Sequence, residues 1–136
     1  MIDIIPVLQN AIAVEPGIAA IQEARVYPAQ LPDAATYPAT VLTKVSGYGG
    51  RTMDGETEFE ESRVQVDVFA QGYSECVTLA GLVRAFIVGD PSPGPACVIN
   101  NARCINDQDL PAPAYERAGP RLRRRSMEFS IWSRRI

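Results

Sequence analysis

The chain has 136 residues, 46% of them hydrophobic and 21% charged, with a net charge of −3. That length suits one domain with one core, and the composition excludes disorder and fibrous repeats. The sequence contains no histidine, which removes the commonest general base and metal ligand, and its negative balance argues against a protein that wraps nucleic acid by neutralising phosphates.

Ile4, Ile5, Leu8 and Ile12 recur near a helical period and predict a helix over 2–13, capped by Asp3, with Pro6 near the start where its ring is tolerated. After Glu15-Pro16-Gly17 a short helical turn is expected over 18–23. Arg25-Val26-Tyr27 favours a brief strand that Pro28 ends. The stretch 28–38 has no period and reads as a surface connection. Residues 39–46 alternate as a strand with one wet face does.

Four glycines then fall in the nine residues Gly47, Tyr48, Gly49, Gly50, Arg51, Thr52, Met53, Asp54 and Gly55, which predicts a long, mobile hairpin loop with a tip open to partners. Over 56–70 the alternation is cleanest: Val64, Val66 and Val68 share one face, and Arg63, Gln65 and Asp67 the other. Ser74 is placed to cap a core helix whose apolar stripe is Val77, Ala80, Leu82, Val83, Phe86 and Ile87, ending near Gly89. A proline-rich turn at 90–95 follows, then one strand or two short ones over 97–110. The last strand, 122–132, sets Met127, Phe129 and Ile131 against Glu128, Ser130 and Trp132.

The order α-β-β-β-α-β-β fits an α+β fold, one domain over 1–136, with a mainly antiparallel sheet and two main helices packed on one face. No apolar run approaches the roughly 20 residues of a membrane span, and the N-terminus lacks the pattern of a secretory signal, so assembly inside a cell is expected.

The three cysteines, Cys76, Cys97 and Cys104, have neither disulfide-framework nor zinc spacing and read as small apolar residues. Gly72-Tyr73-Ser74-Glu75-Cys76 lacks the second glycine of a nucleophile elbow. The glycine loop resembles a phosphate cradle in composition alone, since no Lys-Ser or Lys-Thr follows it and it joins two strands. Asp107 and Asp109 would share a strand face and could offer two oxygens to a divalent cation; without further ligands they read as solvated turn carboxylates. No catalytic, cofactor or metal residue is assigned.

Charge is patterned more tellingly. Glu56, Glu58 and Glu60 form a row at the start of one strand, and Arg121, Arg123 and Arg125 form another at the start of the last. If the two strands lie antiparallel with their apolar rows in register, the charged rows project from opposite ends of the sheet and cannot meet within one subunit. Two readings stand side by side: an acidic end of one copy against the basic end of the next, closing a ring, or two solvated runs that keep the protein soluble. The arginine row could also touch DNA backbone, against the overall acidity.

Arg25-Val26-Tyr27-Pro28, Tyr37-Pro38-Ala39-Thr40-Val41-Leu42, the run from Ser62 through Val68-Phe69-Ala70, the helix after Tyr73-Ser74-Glu75, and Arg125-Ser126-Met127-Glu128-Phe129-Ser130-Ile131-Trp132 occur in this order along most of the chain. In that sequence the chain resembles the tail-completion or tail-terminator family of long-tailed phages, prophages and gene transfer agents. The resemblance implies a non-enzymatic virion protein, assembled in the host cytoplasm. It would form a homo-oligomeric, hexameric ring on the last ring of tail-tube protein, stop tube growth and offer a docking face to the head-tail connector. It further implies that DNA passes through the lumen without specific binding, that no cofactor or membrane is involved, and that the 47–55 loop touches a neighbouring protein. The alternatives are a neck or head-completion subunit and, in another class, a small nucleotide- or ligand-binding domain.

Overall fold

β-branched residues alternating with polar ones make a strand that can bury one face only, and this chain has several of them, so a layer must cover that face. The computed structural model describes residues 4–23, 25–32, 36–52, 55–89, 97–110 and 122–135. Its elements are α1 (Ile4–Val14), α2 (Pro16–Gln22), β1 (Val26–Pro28), β2 (Ala39–Thr52), β3 (Gly55–Ala70), α3 (Tyr73–Val88), β4 (Cys97–Leu110) and β5 (Arg123–Arg135). The strands form one five-stranded sheet in the order β1-β2-β3-β5-β4. β1 runs parallel to β2 and every other pairing is antiparallel, so the fold is α+β in the expected order.

All three helices lie against one face. Val64 sits opposite Phe129 and Val66 opposite Met127, and with Leu42, Val68 and Ile131 they make a buried floor. Onto it α1 places Ile4, Leu8 and Ile12, α2 places Ile18, and α3 places Cys76, Leu79, Val83 and Ile87. Among the described residues no single helix is long and apolar enough to cross a membrane, and α1 and α2 bend by 83° where they meet.

Several expectations are corrected. The cap of α3 is Gly72, with no side-chain cap bond, and Ser74 lies inside the first turn. The helix starts as soon as β3 ends, so its buried stripe is Cys76, Leu79, Ala80, Val83 and Ile87, while Val77 and Leu82 face outward. The glycine-rich stretch is not a loop: residues 47–52 continue β2 and Gly55 begins β3, because alternating hydrogen bonds persist across glycine once a partner strand is present. Met53 and Asp54 lie outside the described residues, as do Asp3 and the 90–95 turn. β4 is one strand, with register shifts after Ile99 and after Cys104.

The 28–38 stretch is more than a surface connection. Leu31 is buried with Ala39, Val41, Phe69 and Leu122 in a small second cluster, to which Tyr27 and Tyr37 add. It covers part of the sheet face opposite the helices.

Candidate subunit interface

The β2–β3 ribbon outruns the sheet. β1 pairs with β2 only at Thr40, Val41 and Leu42, and β5 pairs with β3 only from Phe59 onward. Residues 50–52 and 55–58 therefore extend beyond the rest of the sheet, with Arg51 opposite Glu56 and Thr52 opposite Gly55 after a register shift past Gly49, and among the described residues no third strand lies beside them. The β3 side of this arm reaches about 13 Å past the sheet at roughly 3.3 Å per residue. All of the expected contact loop falls in this arm and its root, apart from Met53 and Asp54.

At the root, Lys44 and Glu60 share the helix-covered face. Lys44 Nζ donates to Glu60 Oε1 at 3.1 Å, and the Glu60 side chain is only 9% exposed. Gly47 makes the pair possible: a Cβ there would stand 2.9 Å from Lys44 Cε and 3.3 Å from Glu60 Oε1. Glu60 is thus neutralised within its own subunit. Glu56 and Glu58 lie in the β3 part of the arm, and their side chains fall outside the described part of the molecule.

The register sets Glu60 opposite Ser133 and Arg123 opposite Ala70, so Glu60 and Arg123 lie toward opposite ends of the paired strands. Arg121 lies outside the described residues, and Arg123 is exposed. Arg125 is already engaged. Its Nε donates to Asp107 Oδ1 at 2.6 Å and its Nη1 to Asp109 Oδ1 at 3.1 Å. These carboxylates hold the Arg125 guanidinium above its already high ordinary pKa. Arg84 of α3 adds Nη1 to Asp107 Oδ2 at 2.9 Å, and the Tyr73 hydroxyl reaches Asp109 Oδ2 at 3.5 Å.

Asp107 and Asp109 are accordingly strand residues in an ion-pair network, not solvated turn carboxylates. Pairing of β4 with β5 puts Asp109 directly across from Arg125, which no reading of β4 alone could reveal. Among the described residues no group of three or more metal-ligating side chains forms. Behind this network Cys76 is buried, and burial first, then the Asp109 charge, pushes its thiol pKa up.

The opposite sheet face has its own pair, also unforeseen. Arg124 Nε donates to Asp67 Oδ1 at 3.1 Å, Gln65 Nε2 donates to Asp67 Oδ2 at 3.0 Å, and the guanidinium lies 5.9 Å from the Phe69 ring centroid. Asp67 is 5% exposed, so these partners supply the bonds that water would otherwise provide. Across both faces, charged side chains bind one another between strands, an arrangement that fixes a sheet and leaves the arm and the outer edges for contacts.

A family model described as tail completion protein gp17 matches residues 6–134. Among solved structures, a chain from the virion of a native gene transfer agent (GTA) particle superposes with a TM-score of 0.66 and 13% identity, covering 93% of this chain and 91% of that one. At that identity the likeness speaks for the fold. No curated protein matches the chain in sequence. The family resemblance read from the sequence is thereby borne out over nearly its whole length: the chain belongs to the tail completion protein gp17 family and is a structural protein of phage-type tails.

Proposed function

We propose that this protein completes the head-proximal end of a tail tube. Copies of the chain join side to side in a ring, taken as hexameric from the family resemblance, which caps the last ring of tube protein, stops its growth and presents a docking face to the head-tail connector. The observation that carries this reading is the family match over residues 6–134.

The arm supports it physically. A two-stranded ribbon without a third strand is marginal in water, and a neighbouring molecule would supply what the subunit does not. The 47–55 segment is the proposed partner contact, and the acidic residues Glu56 and Glu58 of one copy are proposed to pair in charge with Arg121 and Arg123 of the next. Glu60 and Arg125 contribute at the margins of these surfaces, since Lys44, Asp107 and Asp109 already hold them. The protein does no catalysis in this reading; a net charge of −3 suits a lumen through which DNA must slide.

Electron microscopy of particles made without the protein tests the assignment. Overlong tails without heads are expected. Tails of normal length beside leaky or tailless heads would overturn it in favour of a neck role.

A further inference from the structure

β4 is the outermost strand among the described residues, so within them one of its edges has no strand beside it. Such an edge invites pairing, and bulges are a usual protection against it. Here the register with β5 slips after Ile99 and again after Cys104, leaving Asn101, Ala102, Arg103 and Cys104 in unbroken register between the two irregularities. These four residues form one wall of a groove of about 480 Å³, and Gly81, Arg84 and Ala85 of α3 belong to the other. Small side chains keep it open: a Cβ built on Gly81 meets nothing within 4 Å. Arg84 is half-exposed and Arg103 exposed at its rim.

Beyond the second irregularity, β4 carries Asp109, whose half-exposed carboxylate would disfavour a negative visitor. The four-residue stretch is thus a short landing strip with a defined far end and with Arg103 exposed at its rim, Arg84 being already paired with Asp107.

The arm has matching properties. Residues 55–58 are four extended residues with an edge that no strand occupies among the described residues. The arm sequence from 49 to 58 holds Asp54, Glu56 and Glu58 against the single Arg51, so it is negative where the groove presents Arg103. Within one molecule the arm cannot reach the groove, because β5 lies between β3 and β4. We infer that the α3–β4 groove receives the 55–58 edge of the β2–β3 arm of a second copy of this chain, by strand addition along residues 101–104. The inference rests on the ring reading above and names its joint. Because arm and groove are different surfaces, the contact is head-to-tail and repeats around a closed ring.

Cys104 offers the test, since paired strands bring Cα atoms within the range a disulfide spans. In a Cys97→Ser background, Gly55, Glu56, Thr57 and Glu58 are changed to cysteine one at a time, and the assembled protein, alone and on tail tubes, is mildly oxidised. A ladder of covalent multimers that peaks at one arm position and disappears with Cys104→Ser is expected. Gly81→Leu, which fills the groove and favours the helix, is expected to weaken assembly at least tenfold while the unfolding midpoint holds. Rings that form by light scattering yet give no Cys104-dependent ladder, or that tolerate Gly81→Leu, would overturn the groove assignment and leave the ring standing. Unaltered protein that stays monomeric and unattached to tubes would overturn the ring reading and the joint with it.

Discussion

Over residues 39–44 and 64–70, strands β2 and β3 lie in the middle of the sheet, roofed by helices and flanked by β1 and β5; over 50–52 and 55–58 the same two strands continue with no third strand among the described residues. Valines locate the first half and glycines with acids the second. One half is held from within the subunit, so its residues report on folding. The other continues without a third strand among the described residues, so on the proposed reading its residues report on association. A single strand pair separates the two functions along its length.

The largest effect that sharpens this contrast belongs to Phe129, fully buried opposite Val64. Phe129→Ala should cost about 3–5 kcal/mol in urea unfolding, with assembly lost because the subunit no longer folds. Smaller is the effect at the boundary between the halves. Gly47→Ala should cost about 1 kcal/mol by pushing Lys44 off the nearly buried Glu60. In a Lys44→Ala background the same change should cost nothing further, and an unchanged penalty there would show that the glycine serves the backbone instead.

Cutting the arm back, by replacing residues 50–57 with Asn-Gly, should alter monomer stability by no more than about 0.5 kcal/mol while abolishing assembly. A large loss of stability would mean that the arm packs within its own subunit, and the division drawn above would fail. The smallest effect is chemical. Native protein should react with a thiol reagent at Cys104 well before Cys76, which is buried and kept protonated. Since the folded Cys76 pKa lies above its ordinary value of 9.0, its contribution to stability is full below that value and is lost as pH rises from there through the raised folded pKa.

The roofed half was legible in the sequence because period-two alternation needs only one strand to be seen: Val64, Val66 and Val68, or Met127, Phe129 and Ile131, declare a buried face unaided. The register between them followed from matching those rows. The arm was misread as a loop because glycine content masks a ribbon whose evidence is its partner strand. Ion pairs were hidden for a related reason. Asp107, Asp109 and Arg125 meet only because β5 turns back beside β4, a fact of strand order that local pattern does not contain. Leu31 and Tyr37 gave no signal either, being isolated apolar residues among prolines with no period to join. In α3 the apolar residues outnumbered the places on the sheet, so composition named Val77 and Leu82 for a core that has no room for them.

The strand order also bears on synthesis. β5 comes after β4 in sequence yet lies between it and β3, so β4 leaves the ribosome with nothing to zip to, and only the later arrival of β5 bolts it onto the growing sheet. The wall that we assign to a neighbour's arm is consequently the last surface to exist, and a nascent chain halted before residue 123 has nowhere to seat a companion. If that wall seats a companion, as proposed, recruitment waits on completion of the chain.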